Sequence, residues 1–185
     1  MKDGISERRG RLIVGPSGAG KTTLLSELGG TGFDLDKIGS REDDDDWKKW
    51  IIDVDRLETL RKENEPDRVF AGLGSNLDDV LTLDWRQVIM LFPTASRLRS
   101  NVLARLRERE YLALPSEPTI IAGEIEKASL PLSEIGRQTV ALLIQVRENA
   151  SSPQILYYHE ATPTQIASAV ESLAEDMITS EIILP

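Results

Sequence analysis

The sequence predicts a single α/β domain of three layers, with a five-stranded parallel sheet and helices on both of its faces. Short apolar segments alternate with amphipathic ones along the chain, which is typical of parallel strands joined by covering helices. The first apolar segment runs directly into a glycine, as a buried parallel strand does at its end. A length of 185 residues fits one domain, so residues 1–185 are expected to form a single unit.

The composition and charge of the chain argue against several classes of protein. The chain is 40% hydrophobic and 29% charged, carries a formal net charge of −9 and has no cysteine. No apolar run approaches the roughly 18 residues that a membrane-spanning helix needs, and the polar start of the chain does not resemble a secretory signal. A cytoplasmic location is therefore expected. The negative net charge argues against a broad nucleic-acid footprint, because duplex binding depends on cationic neutralisation of phosphates.

The first half of the chain contains two predicted strands and two predicted helices. Spacings of three and four residues among Trp50, Ile51, Val54, Leu57 and Leu60 indicate an amphipathic helix. The predicted elements are a strand at 11–14, a helix at 21–28, a strand at 32–36, an acidic loop at 40–46 and a helix at 47–63.

The second half contains three further strands. Thr94 is expected to cap one helix, and Thr162 with Gln165 forms a capping box before another. Residues 111–131 include Pro115, Pro118 and Pro131 and are expected to form an irregular flap. The predicted elements are strands at 68–71, 88–92 and 154–158, and helices from 94 to about 110, at 133–149 and at 163–177.

A phosphate-binding motif lies between the first strand and the first helix. Glycines let successive backbone N–H groups point at phosphate oxygens, and the helix adds its positive end. Lys21 is expected to contact the β- and γ-phosphates, Thr22 to ligate Mg²⁺ and Thr23 to bond the α-phosphate. The alternative is a glycine-rich turn that matches the motif by chance. The matching residues, in the pattern G-x-x-x-x-G-K-[ST], are Gly15, Pro16, Ser17, Gly18, Ala19, Gly20, Lys21 and Thr22.

Phosphoryl transfer also needs a carboxylate that supports the metal. The third and fourth strands end without an acid, so Asp34 and Asp36 after the second strand are the best candidates. Their spacing on a strand would put both side chains on one face. One could hold a Mg²⁺ water, and the other could accept the proton of the acceptor hydroxyl. The alternative is a polar strand end beside a turn.

Two other charged clusters have different expected roles. The acidic run at residues 43–46 is expected to be a solvated loop rather than a metal site, because it precedes a predicted helix and acids are favoured at a helix start. Arg105 and Arg109 share one helix face and could clamp the transferring phosphoryl group, unless they only form a solvated face. The full basic cluster is Arg97, Arg99, Arg105, Arg107 and Arg109.

In their order, these motifs resemble the nucleoside monophosphate kinase-like group, which includes adenylate, shikimate and gluconate kinases. The overall pattern looks closest to bacterial and phage "AAA family ATPase" proteins of adenylate-kinase type. The shikimate-binding arginine pattern is not evident around residues 56–61, and residues 111–131 lack the usual lid sequence. Besides the phosphate motif, the matching segments are Phe33-Asp34-Leu35-Asp36, Gly72-Leu73-Gly74-Ser75-Asn76, Arg105-Leu106-Arg107-Glu108-Arg109 and Thr162-Pro163-Thr164-Gln165-Ile166.

The resemblance implies a P-loop NTPase fold with strand order 2-3-1-4-5 and a lid-like insertion at residues 105–131. It implies ATP and Mg²⁺ as cofactors, with transfer of the γ-phosphate to a hydroxyl or phosphate of a small acceptor. The acceptor would lie between Asp36, Gly72, Gly74 and Asn76. Two rivals remain open: a kinase of a hydroxyl on DNA or RNA, including a modified base, and a nucleotide-operated switch with no acceptor.

The sequence indicates less about the single histidine and the three tryptophans. His159 is not expected to be catalytic, although a place near the nucleotide base is open. Trp47, Trp50 and Trp85 are expected to pack in the core or at its edge, and Trp47 borders the predicted acceptor side.

Overall fold

The computed structural model describes residues 9–29, 32–41, 50–63, 67–112, 118–175 and 180–185. The strands are β1 (Arg11–Val14), β2 (Phe33–Asp34), β3 (Gly39–Arg41), β4 (Trp50–Ile52), β5 (Val69–Ala71), β6 (Gln87–Pro93), β7 (Gln154–Tyr158) and β8 (Glu181–Ile183). The helices are α1 (Lys21–Glu27), α2 (Val54–Glu63), α3 (Leu77–Leu81), α4 (Ala95–Leu112), α5 (Pro118–Ser129), α6 (Leu132–Asn149) and α7 (Pro163–Glu175), with a 3₁₀ helix at Leu35–Ile38. Within the described ranges, no helix has the length and apolar character needed to cross a bilayer.

Six strands form one sheet in the order β2-β5-β1-β6-β7-β8, and every neighbouring pair is parallel. The prediction of five strands in the order 2-3-1-4-5 is therefore wrong for the sheet as a whole. The five predicted strands all lie in it, and β8 is added beside β7. The sequence did not indicate β8 because three residues are too few to show a period. In a separate ribbon, β3 and β4 pair antiparallel.

Strand β1 shows that the sheet is covered on both faces, as predicted. Leu12 and Val14 pack into one apolar cluster together with side chains of α3 and α6. Ile13, which points the other way, packs into a second cluster with side chains of α1 and α7. Side chains alternate along a strand, so each face of the sheet carries its own core. Trp85, predicted to be core packing, is 5% exposed and donates its indole N–H to the Val80 carbonyl at 2.7 Å.

The predicted helix over residues 47–63 is wrong at its beginning. Residues 50–52 form strand β4, whose partner is β3, and residues 42–49 lie outside the described part. Asp53 separates strand from helix, because its Oδ1 accepts a hydrogen bond from the Arg56 backbone N–H at 2.9 Å. A capping carboxylate at this position lets α2 begin at Val54. The helical spacing of apolar residues continues across the boundary between β4 and α2, so it does not reveal that Asp53 starts the helix there.

The predicted irregular flap at residues 111–131 is also wrong, because α5 occupies Pro118–Ser129. In the sequence, the three prolines of this segment indicate irregular structure, because proline disrupts the interior of a helix. Pro118, however, takes the first position of a helix, where its missing N–H costs nothing, and Pro131 is the N-cap residue of α6. Residues 113–117, including Pro115, lie outside the described part.

Both predicted caps are confirmed. The Thr94 hydroxyl accepts from the Arg97 N–H at 3.4 Å at the start of α4. The Thr162 hydroxyl accepts from the Gln165 N–H at 3.3 Å, while the Gln165 side chain accepts from the Thr162 N–H at 2.8 Å. Such reciprocal bonds satisfy donors that a helix leaves unpaired at its start.

Candidate functional site

A cleft of about 1240 Å³ lies along the edge of the sheet where the parallel strands end. Since β1, β2 and β5 run the same way, the segments that follow them lie side by side at this edge. One wall is made by the segment after β1, the start of α1 and the residues that end β2. Residues of α4 and α5 form a further part of the lining. Ligands of parallel α/β sheets bind outside the carboxyl ends of the strands.

The glycine loop, defined here as residues 15–20, joins β1 to α1 and is built for close backbone approach. A Cβ on Gly15 would lie 3.1 Å from the Cβ of Leu91, so a side chain there would crowd β6. Gly18 and Gly20 have φ values of 91° and 84°, a left-handed backbone that residues with a Cβ rarely adopt. Turns of this kind aim backbone N–H groups at a common anion.

Side chains from distant elements hold the glycine loop in this shape. Asn101 of α4 donates its amide N–H to the Gly18 carbonyl at 2.8 Å. The Tyr158 hydroxyl, at the end of β7, donates to the Ala19 carbonyl. Burial raises the pKa of Tyr158, so the phenol remains a donor. These two bonds hold the glycine loop from outside its own segment.

Lys21 reaches back over the glycine loop. Its Nζ donates to the Gly15 carbonyl at 2.7 Å and to the Pro16 carbonyl at 3.2 Å. Burial lowers the pKa of Lys21 to about 8, chiefly because desolvation disfavours the ammonium. The charge of Asp36 opposes this shift. An ammonium on neutral carbonyls in a cleft is well placed to be recruited by an anion.

Thr22 and Asp34 meet beside Lys21, although they come from different elements. The Thr22 hydroxyl donates to Asp34 Oδ2 at 3.2 Å, which joins α1 to the end of β2. A hydroxyl and a carboxylate oxygen in contact are the hard oxygen ligands that Mg²⁺ takes from proteins, with waters and phosphates completing the shell. No group of three or more His, Cys, Asp or Glu side chains suited to a metal occurs in the described ranges. The Thr22 hydroxyl and the Asp34 carboxylate would by themselves supply two oxygen ligands to such an ion.

The prediction that Asp34 and Asp36 share one face of a strand is wrong. Strand β2 ends at Asp34, and Asp36 lies in the 3₁₀ helix. Asp34 Oδ1 caps that helix by accepting from the Asp36 N–H at 3.0 Å. Both side chains still line the cleft. Desolvation raises the pKa of Asp36, the charge of Asp34 raises it further, and Lys21 opposes both effects.

Arg105 and Arg109 face the cleft from one side of α4, as their spacing predicts. Glu124 of α5 pairs with both: its Oε1 lies 3.4 Å from Arg105 Nη1, and its Oε2 lies 3.6 Å from Arg109 Nε. Arg105 also donates to the Ser17 hydroxyl at 3.5 Å. Glu124 is 8% exposed, so this carboxylate fixes both guanidinium groups inside the cleft wall.

The other three arginines of the basic cluster have different positions. Arg97 lines the cleft and donates to the Ala161 carbonyl at 3.4 Å. Arg99 donates to the Leu130 carbonyl at the end of α5, which is a structural bond. Arg107 is exposed and does not line the cleft. The cluster is therefore divided between two sides of α4.

Sequence reasoning missed Asn101 and Tyr158, which hold the glycine loop, and it also missed Glu124 and Lys127 of α5. All four line the cleft, and Lys127 donates from Nζ to the Ser17 carbonyl at 2.7 Å. The signal that could have found the two residues of α5 is the run of helix-forming residues in that segment, which its prolines obscured. Nothing in the local sequence indicates that this helix approaches the glycine loop.

The predicted acceptor residues Gly72, Gly74 and Asn76 occupy three different environments. Gly74 lines the cleft together with Leu73 and Ser75. Gly72 packs against the 3₁₀ helix, since a Cβ there would lie 2.5 Å from the Cβ of Leu35. The Asn76 amide accepts from the Ile52 N–H and donates to the Ile52 carbonyl, both at 2.9 Å. In this arrangement Asn76 ties β4 to the carboxyl end of β5.

Replacing Asn76 with alanine is expected to lower the free energy of unfolding by about 1–3 kcal/mol, because it leaves both backbone groups of buried Ile52 without a partner. Urea denaturation measures this change. The control is Asn149→Ala on the exposed end of α6, which should stay within about 0.5 kcal/mol of the unsubstituted protein. Equal stability of the two variants would contradict the tie between β4 and β5.

His159 lies outside the cleft lining, whereas Trp50 is part of it. His159 is exposed, and its Nδ1 lies 2.9 Å from the Thr94 hydroxyl. Trp50 packs its indole directly on Gly39. Trp47 and the acidic run at 43–46 lie outside the described residues.

Comparison with models of known protein families gives no match, and a search of curated proteins also gives none. The site is therefore interpreted from its own geometry.

Proposed function

We propose that this protein is an ATP-dependent phosphotransferase with a P-loop NTPase fold. It moves the γ-phosphate of Mg²⁺-bound ATP to a hydroxyl or phosphate of a small acceptor such as a nucleoside, a nucleotide or a small metabolite. One observation carries the proposal: Lys21, the Thr22–Asp34 pair and the Arg105–Arg109 pair converge on one cleft above a glycine loop. Phosphoryl transfer is catalysed mainly by positioning and charge stabilisation, and these are the groups it requires.

The donor side is formed by the glycine loop and the start of α1. Backbone N–H groups of the loop and the Lys21 ammonium bind the β- and γ-phosphates, and Thr23 bonds the α-phosphate. Thr22 and Asp34 would hold a Mg²⁺, and that ion would supply positive charge to neutralise the phosphates. A Mg²⁺ at this point would replace the hydrogen bond that now joins the two side chains.

The acceptor side is formed by Asp36 and the segment containing Gly74. Because its pKa is raised, Asp36 is a better base than an ordinary aspartate and suits a hydroxyl acceptor. The acceptor oxygen forms a bond to the γ-phosphorus as the bond to the β,γ-bridging oxygen breaks. The acceptor proton passes to the Asp36 carboxylate, and ADP leaves. Arg105 and Arg109 stabilise the charge on the moving phosphoryl group.

The test is transfer of label from [γ-³²P]ATP to panels of nucleosides, nucleotides, small metabolites and oligonucleotides. We expect Mg²⁺-dependent label on a member of the small-molecule panels. Label on oligonucleotides alone would favour a nucleic-acid kinase instead, and label released only as free phosphate would favour a nucleotide-operated switch.

A further inference from the structure

Two lysines from different helices in the cleft lining bind the same short stretch of backbone. Lys21 of α1 donates to the carbonyls of Gly15 and Pro16, while Lys127 of α5 donates to the carbonyl of Ser17 at 2.7 Å. Three consecutive carbonyls of the glycine loop are thus covered by two ammonium groups. Residues 17 and 127 are 110 positions apart in the chain, so only the fold brings them together.

The surroundings of Lys127 leave its positive charge without compensation. Burial, together with the smaller effect of the nearby Arg105 charge, lowers the pKa of Lys127 from an ordinary value of 10.5 to about 8. In the described part of the chain, no carboxylate lies within ion-pair distance of Lys127, and Glu124 is paired with Arg105 and Arg109. A neutral carbonyl is a weak partner for a desolvated ammonium.

We propose that Lys127 is a specificity-determining residue that binds the terminal phosphate of the donor and makes the cleft prefer a nucleoside triphosphate over a diphosphate. The proposal rests on the proposed function. Lys21 in a loop of this type lies against the β- and γ-phosphates, and Lys127 lines the same cleft and contacts the same loop at the Ser17 carbonyl. On binding, Lys127 exchanges the Ser17 carbonyl for an anionic oxygen, which converts an uncompensated charge into a charge-assisted hydrogen bond.

A purely structural role would give a different pattern. If Lys127 only fastened α5 to the glycine loop, its loss would weaken triphosphate and diphosphate binding to a similar extent. A residue that binds the terminal phosphate must discriminate between the two ligands. The ratio of the two affinities is therefore the decisive quantity.

The experiment measures calorimetric affinities of Mg²⁺ with a non-hydrolysable ATP analogue and of Mg²⁺ with ADP. Lys127→Met is expected to bind the triphosphate roughly 10–100-fold more weakly, and the diphosphate weaker by less than roughly threefold. The matched control is Lys62→Met on α2, where the lysine side chain is 69% exposed and pairs with Glu58. Both affinities of this variant should equal those of the unsubstituted protein.

Lys127→Arg supplies a second measurement that does not require the methionine variant to fold. The lysine loses its charge as pH rises through about 8, whereas an arginine keeps it. Triphosphate affinity of the unsubstituted protein should therefore fall between about pH 8 and 9 relative to that of Lys127→Arg. The charged groups near Lys127 are common to both proteins and cancel in this comparison; they are Lys21, Arg105, Arg109, Glu124 and Glu126.

Two results would overturn the inference, and they have different meanings. If the unsubstituted protein binds the triphosphate and Lys127→Met keeps the same ratio of affinities, the role of Lys127 is refuted and the proposed function stands. If the unsubstituted protein binds neither nucleotide, the proposed function fails and the role of Lys127 fails with it.

Discussion

Lys21→Ala is expected to lower kcat/KM for phosphoryl transfer by roughly 10²–10³-fold, because it removes a preorganised cation from the developing charge of the phosphates. In the structure this ammonium is held by two carbonyls of the glycine loop, at 2.7 and 3.2 Å. These contacts hold the ammonium over the loop, so the loss should appear in kcat as well as in affinity.

The measurement is steady-state transfer from ATP to the best acceptor found in the labelling panels. Lys62→Ala is the matched control, because the Lys62 side chain is exposed on α2, its ammonium pairs with Glu58, and Lys62 does not line the cleft. Its kinetics should match those of the unsubstituted protein. Unchanged transfer by Lys21→Ala, in a variant that melts at the normal temperature, would refute the phosphate site.

Asp34→Asn is expected to raise the Mg²⁺ concentration needed for half-maximal activity and to lower kcat at ordinary Mg²⁺ by roughly 10²-fold, since the metal contributes several kcal/mol to phosphoryl transfer. The substitution preserves shape but removes the negative charge that faces the Thr22 hydroxyl. Excess Mg²⁺ should restore part of the activity, because the phosphates and Thr22 still supply ligands.

Titration of activity with Mg²⁺ checks this expectation against two other variants. Asp36→Asn should keep the normal Mg²⁺ requirement and lose kcat, because Asp36 is assigned to the acceptor proton. Asp55→Asn, on the exposed first turn of α2, should change neither quantity. If Asp34→Asn and the unsubstituted protein require the same Mg²⁺ concentration, Asp34 does not support the metal.

Where determinants are local, the structure follows the sequence. Residues 11–22 form a strand, a loop and a helix start because an apolar run, glycines with positive φ and the following helix formers are adjacent in the chain. The caps at Thr94 and Thr162 follow from the same kind of local chemistry. Local patterns misled at residues 50–52, where the apolar spacing of a helix continued into a strand whose partner is β3.

The sequence by itself determined the alternation of strands and helices and the position of the glycine loop. It also singled out Lys21 and Thr22 as candidate site residues. Each of these features depends on neighbouring residues in the chain. Only the tertiary structure decided that Asn76 ties down β4, that Glu124 holds two arginines and that Lys127 reaches Ser17. The physical reason is that hydrogen bonds and ion pairs act over a few ångströms in space. Which distant side chains come within that range depends on how the helices pack around the sheet, and spacing along the chain does not reveal it.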